Sequence, residues 1–443
     1  MGEHDAAKET FYLETLGCPK NRVDSEKIAH YLRNLDMKEV SDPSSADMVV
    51  LNTCAFIEAA RQESIETILS LAEKKQKGAR LVVSGCLAER YGQELADNLP
   101  EVDLVAGFGV PVNLRPASKK RFLKSADLTQ RTSLQSLDLL ELPRSSGTMP
   151  WAYVKAAEGC DRNCGFCAIP GFRGKQRSRS MDSILAEVAD LNSKEIVLVA
   201  QDLASYGKDL DTENKKNIVD LFYKVAEQVP WVRLLYLYPT SISDDLVKAI
   251  LSTEVPYFDL SLQHSSRVLL QKMRRSGHER YYLELIDKIR DINPEAVFRS
   301  SFVIGYPGET EADQDGLLRF IERAELDWAG FFAYSKEEGT YAYSLGEEVD
   351  EELCLLRLRE CQSLQDEITA KKRQNLVGTD IKALVDEKGW ARSFREAPEI
   401  DGKISVPRTL ETGSFVRLRI TDTLGMDLVG EPVSLAQNLQ GGA

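Results

Sequence analysis

The sequence predicts a multidomain α/β protein: an open α/β sheet, then a partial (β/α)6 barrel of TIM-like form, then a small antiparallel, OB-like β-barrel. Three observations predict it. Strand-length apolar runs alternate with helical patterns in two separate stretches, residues 11–107 and 151–335. From residue 380 the apolar period shortens to 2. The chain has 443 residues, too many for one hydrophobic core.

In the first stretch, FYLETLG (11–17) reads as a strand and residues 24–35 as a helix. DMVVLNT (47–53) is a strand of the fully buried kind, followed by an amphipathic helix through Leu71. RLVVSG (80–85) and VDLVAG (102–107) complete four strands with helices between them. Residues 112–149 lose the rhythm and read as a connecting segment. WAYVKA (151–156) opens the second alternation, with a helix over 181–191. Strands follow at 195–200, 233–238, 257–262, 297–305 and 329–335. Six strands fall short of a closed eight-stranded barrel, which needs about 250 residues. A charged helix without Gly or Pro covers 349–375. DIKALVDE (380–387), WARSFRE (390–396), GKISV (402–406), FVRLRITDT (415–423) and DLVGEPV (427–433) read as antiparallel strands. The expected domains are 9–120, 146–374 and 375–441.

Composition excludes several classes. A 43% hydrophobic and 28% charged chain is globular, and no run of 18 apolar residues suggests a membrane span. The polar opening MGEHDAAKET carries no signal-peptide core, so a cytoplasmic protein with reduced thiols is expected. Fifty-six basic against 70 acidic residues give a net charge of −14, which favours basic partners over phosphate backbones.

Chemistry is carried by cysteines. Cys160, Cys164 and Cys167 form a C-x3-C-x2-C loop directly after the first barrel strand. Three thiolates at this spacing reach three corners of a cubane cluster and leave the fourth iron open, whereas zinc normally takes a fourth Cys or His. Cys18, Cys54 and Cys86 each end a predicted strand of the first sheet. Spacing alone is equally consistent with buried structural thiols. Their common position at carboxyl ends of parallel strands, where open sheets bind ligands, favours a second metal site. Cys354 and Cys361 read as core-facing thiols of the charged helix.

The C-x3-C-x2-C loop, with Phe166 before its last cysteine, resembles that of the radical S-adenosylmethionine enzymes. The words TLGCPKNRVDSE, VLNTCAFI, VSGCLAER, EGCDRNCGFCAIPGFRGKQRSRS, SLQHSSRVLLQKMRR and SSFVIGYPGETEAD resemble the methylthiotransferases of that superfamily over nearly the whole chain. GCPKN, FRGKQRSRS and RSFREAPEIDG resemble the RimO branch, which modifies a ribosomal protein; the MiaB branch, which modifies transfer RNA, usually carries GCQMN.

The resemblance implies three modules, the last a TRAM barrel, and two 4Fe-4S clusters. One is held by Cys160, Cys164 and Cys167 and chelates S-adenosylmethionine for reductive cleavage to a 5′-deoxyadenosyl radical. The other, on Cys18, Cys54 and Cys86, holds the sulfur. One S-adenosylmethionine methylates that sulfur, and a second generates the radical that opens the β-carbon of an aspartate in the basic decoding-centre protein of the small subunit. An electron donor such as flavodoxin or ferredoxin is implied. Around the cofactor the expected residues are Phe166, Gln201, Asp202, Gln263, His264, Arg299, Ser301, Gly305 and Gly308, beside Pro307. For each, a turn or a packed polar residue is an equal alternative. The run from Arg173 to Arg179 reads either as a substrate contact or as a solvated basic turn.

From residue 375 the terminal module has eight Lys or Arg against ten Asp or Glu. That is not the basic stripe of an RNA-binding module. It favours docking of a basic ribosomal protein on an acidic barrel over modification of transfer RNA. A third class, a non-catalytic ribosome- or RNA-binding module with structural zinc, is disfavoured by two groups of three cysteines without a fourth ligand. Nothing calls for more than a monomer.

Overall fold

In the computed structural model, residues 8–115, 121–125, 127–128, 136–210 and 216–433 are described. Parts of the 112–149 segment and the last residues of the 375–441 module therefore lie outside the described residues.

The first sheet has six parallel strands: β1 (Thr10–Thr15), β2 (Lys38–Glu39), β3 (Met48–Thr53), β4 (Arg80–Gly85), β5 (Leu104–Ala106) and β6 (Phe122–Leu123), in the order β2-β1-β3-β4-β5-β6. β3 is buried at every residue, which is why its sequence, MVVLNT, is a continuous rather than alternating apolar run. β2 and the edge strand β6 were not legible as strands; each pairs through only two residues. Helices α1 (Pro19–Asn34), α2 (Glu58–Lys74) and α3 (Cys86–Asn98) connect the strands. α1 starts five residues before the expected Asp24, because Pro19 occupies a first-turn position where its missing N–H costs nothing. The strand order reverses between β1 and β3, the place where open α/β sheets form a ligand crevice.

The second domain contains β7 (Trp151–Lys155), a short antiparallel pair β8 (Ala157–Glu158) and β9 (Arg177–Ser178), then β10 (Glu195–Val199), β11 (Trp231–Leu234), β12 (Tyr257–Gln263), β13 (Val297–Ile304) and β14 (Trp328–Ala333). The parallel ladders β11-β10-β7 and β12-β13-β14 are joined by a bridge between Leu237 and Leu260. The result is an open six-stranded barrel. Its helices are α4 (Ile169–Arg173), α5 (Met181–Leu191), α6 (Ile218–Ala226), α7 (Asp244–Leu251), α8 (Arg267–Lys272), α9 (Glu279–Ile292), α10 (Glu311–Ala324) and α11 (Glu351–Gln374). The third strand stops at Leu234 instead of running to Tyr238. Tyr236 turns to φ 65° and donates its N–H to the Asp259 carboxylate at 2.8 Å instead of to the ladder. Cys354 and Cys361 face the core from α11, where Cys354 Sγ lies 3.5 Å from the Ile304 carbonyl.

The terminal module is a closed barrel of β15 (Asp380–Glu387), β16 (Trp390–Ser393), β17 (Ile404–Ser405), β18 (Phe415–Leu424) and β19 (Asp427–Pro432), ordered β15-β16-β17-β19-β18. The pair β17/β19 is parallel, contrary to the all-antiparallel expectation. β16 ends at Ser393, whose N–H and hydroxyl both donate to Glu396 at 2.7 Å and turn the chain away from the barrel.

That departing segment, 394–401, plugs the amino-terminal mouth of the second domain. Trp151, Trp231, Tyr257, Val297 and Trp328, each the first residue of its strand, form one apolar cluster with Leu384 and Ala397. Glu195 pairs with Arg233 at 2.9 Å and with Arg392 of the terminal barrel at 2.8 Å, and all three are fully buried. Arg299 pairs with Asp259 at 3.0 Å and Asp401 at 3.3 Å. Among the described residues, no helix is long and apolar enough to cross a membrane.

Glu195→Ala leaves two buried guanidinium groups without their shared carboxylate. It should cost about 3–5 kcal/mol in denaturant unfolding. A loss under about 1 kcal/mol would show that the seam carries little of the stability.

Candidate metal centres

The Cys160 loop leaves β8 at the carboxyl end of the barrel and is held at several points. Gly159 has φ 78°, and a Cβ there would lie 2.1 Å from the Lys175 carbonyl, so only glycine fits. Cys160 N–H donates to the Gly174 carbonyl at 3.1 Å, and Gly165 N–H to the Met273 carbonyl at 2.8 Å. The Arg162 amide donates to Cys160 Sγ and the Arg275 guanidinium to Cys164 Sγ, each at 3.3 Å. Both arginines lie over the Tyr238 ring, at 4.0 and 4.2 Å. Burial pushes the Cys160 thiol to about 11 and the Cys167 thiol to about 12. Thiols held this high stay protonated in neutral water and become thiolates only where a metal displaces the proton.

The other three cysteines converge at the carboxyl ends of β1, β3 and β4. Gly17 has φ 91°, and a Cβ there would be 2.7 Å from Cys54 Cβ and 2.9 Å from its sulfur, so the first two turns touch. Asn21 joins all three. Its amide donates to the Leu16 and Thr53 carbonyls at 3.0 and 2.9 Å, and its oxygen faces Cys86 Sγ at 3.6 Å. Burial raises the Cys54 thiol to about 11, and raises Cys86 despite Arg173. At Cys18 burial also acts upward, but Lys20 and Arg173 outweigh it and the thiol is lowered.

Among the described residues, no group of three or more His, Cys, Asp or Glu is gathered tightly enough for a single metal ion. A lone tetrahedral zinc needs sulfurs at about 2.3 Å. A cluster takes one thiolate per iron and spreads its ligands wider than a single zinc ion does.

A buried polar network separates the two groups. Asp24 of α1 pairs with Lys155, which also reaches Glu158 at 2.6 Å. Glu158 accepts from Arg173 at 2.7 Å and from Gln201 at 2.6 Å. Arg173, at the end of α4, donates to Cys86 Sγ and to Asn21, both at 2.9 Å. Lys20 lies 3.5 Å from the Tyr236 ring centre. A cavity of about 300 Å³ opens beside this network, bordered by Asp24, Phe108, Glu158, Arg173, Lys175 and Arg177. Apart from Arg173, Lys175, Arg177 and Gln201, sequence reasoning missed these groups. The available signal was their closeness to the motifs: Lys20 and Asn21 follow Cys18, and Glu158 precedes Cys160 by two residues.

The expected cofactor residues fall into two sets. Gln201, Asp202 and His264 follow the carboxyl ends of their strands, each with a buried polar atom lacking a hydrogen-bond partner: Gln201 Oε1, Asp202 Oδ1 and His264 Nε2, the last 3.9 Å from the Glu309 carboxylate. Asp202 also holds Arg162 at 2.6 Å. Gln263 ends β12 with φ 70°, and Ser301 is half-buried on β13. Phe166 packs, half-buried, on the barrel's outer core. The rest are engaged within the protein. Arg299 is paired at the opposite end with Asp259 and Asp401. Gly305 abuts Cys354, and Gly308 sits against the Lys272–Glu347 ion pair, with Pro307 between them. Arg177 pairs with Asp138.

Family models match the chain in three places: Uncharacterized protein family UPF0004 over 10–107, the Radical SAM superfamily over 154–321, and the TRAM domain over 377–433. A relative from Aquifex aeolicus, "Ribosomal protein uS12 methylthiotransferase RimO", is 40% identical, covering 94% of this chain and 95% of its own. The protein of the same name from Thermotoga maritima is 38% identical, covering 95% and 99%. Among solved structures, the cobalamin-dependent S-adenosylmethionine radical enzyme OxsB aligns with 81% of this chain and 56% of its own, at TM-score 0.44 and 13% identity, too distant to decide anything further.

Burial lowers His264 from 6.5 to about 4, although Asp313 acts in the opposite sense. The native state therefore holds this ring neutral while the unfolded chain binds a proton below about 6.5. Its contribution is fully present above that pH and falls away toward pH 4. Relative to pH 7.5, the wild type should lose about 2 kcal/mol more than His264→Gln at pH 5. Parallel pH profiles for the two proteins would contradict this.

Proposed function

The chain belongs to the RimO family of ribosomal protein uS12 methylthiotransferases, and from that premise we propose how its own residues carry the activity. It is a radical S-adenosylmethionine enzyme whose substrate is the uS12 protein of the small ribosomal subunit. The group added is a methylthio group, placed on the β-carbon of an aspartate. One S-adenosylmethionine serves as methyl donor and another as radical source. The observation that carries this reading is that two groups of three cysteines face one seam between the domains, with Arg173 reaching from the loop of one group to Cys86 of the other.

Cys160, Cys164 and Cys167 hold a 4Fe-4S cluster which, when bound, supplies the electron that cleaves S-adenosylmethionine. Arg275 and the Arg162 amide donate to its sulfur ligands. Gln201 and Asp202 offer their unpartnered buried atoms to the cofactor, with Gln263, Ser301 and Phe166 around them, while His264 Nε2 faces Glu309. Gly305 and Gly308 pack against Cys354 and the Lys272–Glu347 pair, and Arg299 serves the seam with the terminal barrel instead. A neutral His264 accepts from Ser266 N–H through Nδ1, which leaves Nε2 as the donor. Cys18, Cys54 and Cys86 hold a second cluster, the site of the transferred sulfur. The Asp24–Lys155–Glu158–Arg173 network ties the two groups to one another.

A flavodoxin or ferredoxin supplies electrons, and the enzyme works as a cytoplasmic monomer. The terminal barrel docks the basic substrate, but with fewer charges than its composition suggests. Asp386, Glu396 and Asp401 are buried with Arg392, Arg373 and Arg299, which leaves carboxylates such as Glu411, Asp422 and Glu431 on the outer face. Two of its basic residues, Arg417 and Arg419, both flank Asp380.

The test is mass spectrometry after anaerobic reconstitution with reductant, sulfide and S-adenosylmethionine, using uS12 in one reaction and transfer RNA in another. A methylthio addition on one aspartate is expected, and addition to an adenosine would contradict the assignment. Cys164→Ala should abolish cofactor cleavage. Cys54→Ala should spare cleavage and stop sulfur insertion; continued insertion would remove the second cluster from Cys54.

A further inference from the structure

We propose that Arg173 is a positioning residue that acts across the domain boundary: a guanidinium supplied by the barrel that sets the electrostatic potential at a cluster held by Cys18, Cys54 and Cys86. The proposal rests on those cysteines holding a cluster.

Arg173 belongs to the loop of the first cysteine group, yet one of its nitrogens lies on a sulfur of the second. Its side chain is 3% exposed. Nη1 donates to Glu158 at 2.7 Å, and Nη2 donates to Cys86 Sγ and Asn21 Oδ1 at 2.9 Å. The guanidinium packs on the Phe108 ring, 4.8 Å from its centre, and Asp24 lies at 3.8 Å. An arginine needed only to neutralise Glu158 and Asp24 would not place an N–H on a thiol.

The charge count around the seam points the same way. Two carboxylates, the buried Asp24 and the partly exposed Glu158, pair with Lys155 and Arg173, and a third basic group, the buried Lys20, lies over the neighbouring Tyr236 ring. The surplus positive charge lies beside three thiols. A cluster bound through three thiolates is net negative, and in a water-poor site a neighbouring cation stabilises the form that has gained an electron. Lysine would not reproduce this, because the forked guanidinium reaches Glu158 and Cys86 at once. Arg173 therefore holds the second cluster's reduction potential up and fixes the Cys86 ligand against the barrel.

The experiment uses the full chain with Cys160, Cys164 and Cys167 changed to Ala, loaded anaerobically with iron and sulfide, so that only the second cluster reports. Its midpoint potential is read by redox titration followed by electron paramagnetic resonance. Arg173→Gln in this background should shift the midpoint to lower potential, with Arg173→Lys in between. Glu158→Gln, which removes a negative charge from the same guanidinium, should shift it upward. An Arg173→Gln protein that holds its iron with an unmoved midpoint overturns the proposal. If that variant loads no iron, Glu158→Gln decides by the same readout, and an unmoved midpoint overturns it there. A parent triple variant that binds no iron would instead remove the second cluster itself.

Discussion

Four charges packed at the seam of two domains constrain everything built around them. Asp24 comes from α1, Lys155 from β7, Glu158 from β8 and Arg173 from α4. Taking an ion out of water costs several kcal/mol unless it is matched at close range. Here each match crosses from one element to another. The first sheet cannot rotate on the barrel without stranding at least one of these charges. The position of Cys86 relative to the Cys160 loop is thereby fixed by electrostatics and not by the backbone connection, which between residues 107 and 150 is long. Such rigidity matters wherever two groups act on one substrate, since small misplacements of reacting groups are costly.

The opposite end of the barrel is closed by the same means. Glu195 shared by Arg233 and Arg392, and Arg299 shared by Asp259 and Asp401, anchor the terminal barrel under the strands. One end of the parallel sheet is thus sealed by protein and the other carries the cysteines. This has a consequence for partner recognition. Composition counts Asp386, Glu396 and Asp401 as part of an acidic surface, but they are interior groups. The module's outer face is closer to neutral than its sequence implies, so the choice of a protein substrate rests more on the family and the site than on bulk charge.

The architecture was legible because parallel strands covered on both faces leave continuous apolar runs, as in MVVLNT of β3, and because period-2 segments mark the terminal barrel. Cys160, Cys164 and Cys167 stood out by their spacing within one loop, and the convergence of Cys18, Cys54 and Cys86 was legible because strand ends are easy to locate and parallel strands bring their ends together. What was not legible depends on long-range pairing. Asp24 and Lys155 are 131 residues apart, and Tyr153 reaches the Pro398 carbonyl across 245. No local pattern reveals such contacts. Tyr236 ended its strand early for the same reason, drawn off by Asp259. On β13, alternation identified the face that Arg299 and Ser301 share but not their height along the strand, and Arg299 lies low enough to meet the terminal barrel instead of the carboxyl-end site.

The most direct test of the account is a crystal structure of the anaerobically reconstituted enzyme with anomalous data collected at the iron edge. Two iron clusters are predicted, one within ligand distance of Cys160, Cys164 and Cys167 and the other of Cys18, Cys54 and Cys86, with Arg173 between them. A single cluster, or a second one on any other residues, would contradict it.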